Sequence, residues 1–367
     1  MRRLLATTTL ALTFVAVSAC GQKDEEKKDA AAKTADKGAN DKAADDKAAA
    51  DGKAADDGKA AEPAAADGGA QDEATKQAAP AAVSNLVDMV PEGAKIMVRI
   101  DLPGLTGSSF YTQQAKMLEA GPLGANFAAA AACNLGPATW KQAVLGVDPE
   151  VDEAVLIGMA ATGIGKKENL ECIATKYKEH DPTASWTIEE QDGRVVVSID
   201  GGEATAYAAG EDMLVVAGKA WNDAVKQRVA GEGQAAASGS LKDALALATE
   251  GEHVVFAGLA TADMNKPPLT GAKYFGGSLS GNDGLSVQAT VVFGDAAAAK
   301  TASDAINAQF QGFKGMAASF GVPKGIVDSV KIEAKDANME LSVKATTSEL
   351  EEVGKVAAGM MGGMPPM

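Results

Sequence analysis

Apolar side chains divide the chain at Val83. From Gly21 to Ala82 there is no Val, Ile, Leu, Met, Phe, Tyr or Trp; beyond it, apolar positions recur with both strand and helix periods. Ile96 to Ile100 reads as a strand, announced by Pro91-Glu92-Gly93, and Ala154 to Ile157 as another. Phe110 to Ala120 and Glu168 to Glu179 read as helices. Four strand-like runs follow: Trp186 to Glu190, Arg194 to Ile199, Ala204 to Ala208 and Met213 to Ala217. They are separated by Asp192-Gly193, Asp200-Gly201-Gly202 and Gly210-Glu211-Asp212, turn chemistry that predicts an antiparallel meander over 185–217. A helix from about Ala220 to Val229 closes it.

The Gly/Ala/Ser stretch Gly231 to Gly239 reads as a flexible joint. After it, Ser240 with Asp243 opens a helix in capping-box style. His253 to Leu259 and Leu285 to Phe293 read as strands, and Asp295 as the cap of a helix running to about Phe310. Val330 to Ile332 and Met339 to Ala345 are further strands, and Ser348 with Glu351 opens the last helix. Some of this repeats. Glu92-Gly93 echoes Glu250-Gly251, each before a strand, and Gly146-Val147 with Val155 and Ile157 matches Gly321-Val322 with Val330 and Ile332 in spacing. Two similar halves, 84–230 and 240–357 joined by 231–239, are one reading; a single domain with ordinary strand–helix alternation is the other. Both are α+β with much antiparallel sheet and packed helices.

Charge narrows the function classes. The chain has 34 Lys/Arg against 50 Asp/Glu, a formal charge of −16, which excludes a basic nucleic-acid binder. Two His and three Cys leave few ligands for a zinc or haem centre, and no cofactor is expected.

The first twenty residues have their own logic. Arg2 and Arg3 precede a short apolar run from Leu4 to Val17, then Val17-Ser18-Ala19-Cys20. So short a run is an export signal rather than a membrane span. The tetrad resembles the lipobox of bacterial lipoproteins. That resemblance implies a leader over 1–19, cleavage before Cys20, and diacylglycerol thioether-linked to its thiol. It also implies an exported protein held to the bacterial membrane by lipid. Gly21 and Gln22 follow the cysteine, with no Asp next to it of the kind that favours inner-membrane retention in such lipoproteins, so the outer membrane is favoured, on its periplasmic face or at the cell surface.

Residues 21–83 carry ten Lys, fifteen Asp/Glu and loose Lys-Ala-Ala-Asp repeats. With no apolar side chain larger than Ala before Val83, the segment cannot offset its ordering entropy and is expected to be a disordered tether. As a random coil it would hold the domain ~45 Å from its anchor. The domain itself loosely resembles uncharacterised α+β envelope lipoproteins that enter a first strand from a Val-Pro-Glu-Gly-Ala-like turn, here Val90 to Ala94; no activity comes with that likeness.

Candidate chemistry is sparse. Cys133 and Cys172, in an oxidising compartment, make an even pair suited to one disulfide; two buried free thiols are the alternative. Gly276-Gly277-Ser278-Leu279-Ser280 misses the hydrolase elbow because Ser280 replaces the final glycine, and it reads as a loop before a strand. Gly163-Ile164-Gly165-Lys166-Lys167 lacks a P-loop's first glycine and its Ser/Thr, and reads as a loop with a helix start. Asn282-Asp283-Gly284 reads as a hairpin turn, His180 as a helix end and His253 as an edge residue. At the end of the chain, in the tail 358–367, Met360, Met361, Met364 and Met367 offer thioethers suited to Cu(I). With no His or Cys beside them, a plain frayed end is the reading taken, and a partner-contact tail comes before Cu(I) binding as its alternative. The expectation is a non-enzymatic lipoprotein with no catalytic residue. It presents a binding domain to an envelope protein, or else carries an apolar ligand such as a lipid.

Overall fold

The computed structural model describes residues 85–109, 111–112, 124–249 and 251–362. The leader, Cys20, the tether and most of the helix expected over Phe110–Ala120 lie outside the described residues.

Twelve antiparallel strands form one sheet. In chain order they are β1 (Ile96–Asp101), β2 (Trp140–Val147), β3 (Val155–Ala161), β4 (Trp186–Gln191), β5 (Arg194–Ile199), β6 (Ala204–Ala208), β7 (Met213–Gly218), β8 (Val254–Leu259), β9 (Ala272–Ser280), β10 (Leu285–Phe293), β11 (Lys331–Lys335) and β12 (Asn338–Ala345). Across the sheet the order is β11-β12-β10-β9-β8-β1-β2-β3-β7-β6-β5-β4. The expected α+β class and the β4–β7 meander are both present.

The two stretches share one topology. β1, β2 and β3 form a meander, helix α3 (Lys167–His180) crosses over, and the last strand, β7, pairs beside β3. β8, β9 and β10 form a meander, helix α6 (Ala296–Ala317) crosses over, and β12 pairs beside β10. The first stretch adds one hairpin, β4–β5, at its outer edge. A short helical turn precedes each meander, Leu86–Met89 in one and α5 (Lys242–Leu245) in the other. A helix follows each last strand, α4 (Asn222–Val229) and α8 (Thr347–Gly362), while α1 (Leu102–Gly107) follows β1 and α7 (Lys324–Ser329) precedes β11. The two units meet at β1 and β8, whose register centres on Val98 opposite Phe256. Gly93 and Gly251 precede equivalent strands, as the sequence echo suggests. The second echo does not hold, because Gly146 lies in β2 whereas Gly321 ends the turn after α6.

Both faces of the sheet are apolar and covered by different helices. On one face Met97, Val144, Leu156, Val215 and Ala217 pack under the Leu86–Met89 turn, α4 and Leu241. On the other, α3 brings Leu170 against Val197 and Ala206, and α6 brings Ala299 and Ala302 against Phe293, Ile332 and Met339. Leu214 and Val216 sit on the α3 face while Val215 and Ala217 sit beneath α4, the period-two alternation of a sheet buried on both sides.

Several local expectations change. The 231–239 stretch is a packed crossing: Ala235 and Ala236 are buried, Ala236 N donates to Val90 O, and the buried Arg228 donates to Asp88 O, Glu232 O and Gly233 O. Three donors of one guanidinium thus fasten a glycine-containing turn that composition alone marks as loose. Ser240 does not cap a helix; its hydroxyl donates to Glu92 O at 2.8 Å, clamping the turn before β1. Asp295 caps α6 as expected, accepting from Ala298 N at 2.9 Å, but the helix continues past Phe310 to Ala317. The capping box of α8 is Thr346 with Glu349, two residues earlier than expected: the carboxylate accepts from Thr346 N at 2.8 Å and the hydroxyl faces Glu349 N.

Cys133 and Cys172 are joined, Cα atoms 5.8 Å apart, fastening helix α2 (Gly124–Ala132) to α3. The bridge closes a loop of 39 residues in sequence separation, for which the loop-entropy relation gives about 4 kcal/mol. Cys133→Ser/Cys172→Ser should therefore lower the stability read from urea denaturation by about that amount, with a lower midpoint and a steeper slope because the unbridged denatured chain exposes more surface. A midpoint equal to wild type would mean that the thiols contribute nothing by being joined.

Candidate binding surface

Directly opposed residues on neighbouring strands point to the same face, so the register defines what the sheet offers between α3 and α6. Val98 of β1 faces Leu145 on one side and Phe256 on the other; Leu145 faces Ile157, Phe256 faces Gly277, and Gly277 faces Ala289. A second row runs Ala143, Ile100, Val254, Leu279, Val287, and a third Val147, Ile96, Gly258, Phe275, Val291. Every position is apolar. α3 covers the face toward β4–β7 and α6 covers it toward β10–β12. The rows over β2, β1, β8 and β9 lie between those helices. There Leu145, Ile96, Phe256 and Phe275 are only part-buried, and Ile157 is 38 % exposed.

Two glycines shape this floor. A Cβ on Gly277 would lie 2.6 Å from Phe256 Cζ, and one on Gly258 would strike Phe275 Cζ. Each phenyl ring lies across the glycine of the other strand, so two large side chains add apolar area without standing up from the sheet. The result is a shallow apolar saddle, low in relief at its centre. Strand glycines commonly mark such close approaches, and Gly258, Gly276 and Gly277 carry that signal in the sequence. What the sequence lacks is which face each alternating residue joins.

One corner of the saddle holds the polar residues that most resemble a reactive cluster. His253 is buried, not at an edge, and its Nδ1 accepts from Gly281 N at 3.0 Å. The neutral ring therefore carries its proton on Nε2. Asp101 and His253 both pack on Gly104, where an added Cβ would strike Asp101 Oδ2 and lie 2.7 Å from His253 Cδ2. The nearby hydroxyls are committed elsewhere: Ser108 Oγ donates to Leu105 O at 2.6 Å, and Ser109 Oγ to Asn282 O at 3.1 Å. The corner ties the β9–β10 hairpin to the start of β8, and its hydrogen bonds are those of a structural joint.

Other sequence candidates fall as follows. Ser278 is not in a loop; it is buried within β9, under α5 rather than in the saddle. Gly163 to Lys166 form the loop before α3, and Asp212 takes Gly163 N at 2.8 Å. The Lys141 ammonium, then that amide, hold the Asp212 carboxyl below the usual carboxylate range. Asn282 to Gly284 turn the β9–β10 hairpin. His180 ends α3. Met360 and Met361 lie on the backbone of α8, but their side chains, with all of Met364 and Met367, lie outside the described residues. Among the described residues no group of three or more His, Cys, Asp or Glu is placed to hold a metal, and no helix is long and apolar enough to cross a membrane.

A separate cleft of about 280 Å³ lies between α3 and β4, lined by Ala174, Thr175, Lys178, Ala184, Ser185 and Trp186. Tyr177 packs on Trp186 with ring centres 5.6 Å apart. Burial, then the charges of Asp181 and Asp200, push its hydroxyl pKa up.

No family model matches this sequence, and no curated protein does. Among solved structures, crystal form I of TP0453, a Treponema envelope lipoprotein, aligns over 74 % of this chain and 97 % of its own, at TM-score 0.45 and 10 % identity. Crystal form IV of the same protein aligns over 75 % and 96 %, at TM-score 0.43 and 6 % identity. Likeness at that level carries no argument about what the saddle holds.

Two expectations test the surface. Gly258→Ala strikes the Phe275 ring first, so that ring should lift: stability falls by ~1–3 kcal/mol and fluorescence of a bound apolar dye rises. Gly277→Ala also strikes Gln288 O and should destabilise more. At the corner, His253→Leu leaves Gly281 N–H unpaired and should cost ~1–3 kcal/mol in chemical denaturation. His253→Asn, whose carboxamide oxygen can accept that bond, should recover part of the loss.

Proposed function

We propose that this chain is a non-enzymatic, lipid-anchored protein of the bacterial envelope, attached through Cys20, most naturally to the outer membrane. A tether over 21–83 holds its domain within reach of a partner. The observation supporting a binding role is the saddle: three apolar rows over β2, β1, β8 and β9, left part-exposed between α3 and α6. Exposed apolar area of this kind marks contact surfaces. The occupant this reading takes is an apolar segment of an envelope protein, brought to high local concentration by shared attachment to one membrane.

A second reading has its own observation. Phenyl rings lying flat over Gly258 and Gly277 make a smooth floor that suits an acyl chain, as in a carrier of lipid. A Cu(I) role for Met360, Met361, Met364 and Met367 is a further alternative, and it draws no support from the saddle.

Labelled palmitate should enter the wild-type chain in cells and be absent from Cys20→Ser; label in the variant, or none in wild type, would overturn the anchor. A photo-crosslinking residue at Ile157 should give a discrete protein adduct, while one at Val151, also exposed, should not. A lipid adduct at Ile157 would favour the carrier, and no adduct would remove the saddle from the proposal.

A further inference from the structure

Away from the saddle, the far end of α6 carries the most exposed large apolar side chains among the described residues. Met316 is 54 % exposed and Phe320 is 53 % exposed. Phe320 is held in place: its ring stacks on Phe313 at 6.5 Å and 8°, and Phe313 packs on Phe310 at 6.3 Å. The open side of the helix continues at Gly312, where an added Cβ would meet nothing within 4 Å. Gly312 and Met316 stand at i, i+4 spacing on α6, and Phe320 follows in the 3-10 turn Ala318–Phe320 that ends at Gly321.

The charge around this tip departs from that of the chain. Residues 305–327 contain Lys314 and Lys324 and no carboxylate, in a protein of formal charge −16. Just beyond, Asp328 holds both lysines, at 2.7 Å from Lys314 and 3.0 Å from Lys324, and the Glu349 carboxylate packs on Gly325; the tip is thus close to charge balance in an acidic chain, with the Lys324 side chain 90 % exposed. Aromatic and thioether side chains flanked by lysines suit the boundary between lipid headgroups and acyl chains. The rings and the Met sulfur enter the apolar side, while the ammonium groups stay with the phosphates.

We infer that the α6 tip, Met316 and Phe320 flanked by Lys314 and Lys324, is a shallow contact for the surface of a phospholipid bilayer. A second copy of this chain would find the same lysines opposite its own, whereas a phosphate surface complements them. The 65 residues from Cys20 through Ser84 end, on the reading above, in lipid, so the tip is kept within tether reach of a bilayer. To that extent the inference rests on the anchor. Its chemistry does not need the anchor and can be read without it.

The test uses residues 20–367 with Cys20→Ser, which carry no lipid, sedimented with vesicles of phosphatidylethanolamine and phosphatidylglycerol. Met316→Ser/Phe320→Ser should weaken binding about tenfold, with the circular dichroism spectrum unchanged and the urea midpoint only slightly lowered by loss of the Phe313 stack. Gly312→Leu extends the apolar surface and should strengthen binding about threefold. Equal binding of the parent and the double variant would overturn the contact. So would self-association in the absence of vesicles that the double variant abolishes, since the tip would then be a protein interface. Palmitate labelling reports the anchor separately, so loss of one reading leaves the other standing.

Discussion

The pairing of β1 with β8 is the constraint on which the rest of the domain depends. Each three-strand meander would otherwise end in an unpaired edge bearing apolar residues on both faces, the kind of edge that recruits other chains. Joining β1 to β8 removes both edges and fuses two topologically equivalent units into a single sheet. It also places the packed 231–239 crossing on one face. There Arg228, Ser240 and the Ala236 amide bind the turn before β1, so the crossing and the central pair support each other.

From that pairing follows the unequal cover of the second face. α3 and α6 are crossover helices, and each must lie over the strands it connects: α3 toward β4–β7, α6 toward β11 and β12. Equivalent topology on either side of β1–β8 therefore moves the two helices outward from the middle. On the opposite face the short helical elements before each meander fall near the centre, where Gly146 and Gly276 admit Val90 and the backbone of Ala244. The same central strands are thus closed on one side and part-open on the other, without any special device at the saddle. Phe256 and Phe275 lying over glycines keep that open side low.

Much of this architecture was legible in the sequence, because period-two apolar runs and Asp-Gly turns are local signals. The meander, α3, the Asp295 cap and the cysteine pair follow from residues that interact within a few positions or by simple count. What was not legible depends on partners far along the chain. His253 reads as an edge residue until Gly281 N donates to it, and Ser240 reads as a cap until it meets Glu92 O, 148 positions away. Ser278 looked like loop because a Gly-Gly-Ser run is poor in strand formers; it lies in β9 because α5 needs a glycine beneath it. The glycines of β8 and β9 carried a trace of the saddle, but the face assignment that makes it a surface exists only in the register.

The distribution of charge bears on how such surfaces stay separate. A domain with 22 basic and 35 acidic residues after residue 83 repels both its own copies and anionic surfaces over most of its exterior. Apolar area can then remain exposed without general aggregation, provided it is confined. The saddle is bounded by α3 and α6, and the α6 tip is small and bordered by lysines. Long-range repulsion is screened within roughly 10 Å at ordinary ionic strength, so it slows random encounters without preventing a tethered one. A lipid anchor with a long, uncovered tether would supply that missing term. It would raise the local concentration of one membrane and of whatever else is attached there, so that contacts weak from solution would be strengthened where the chain is held.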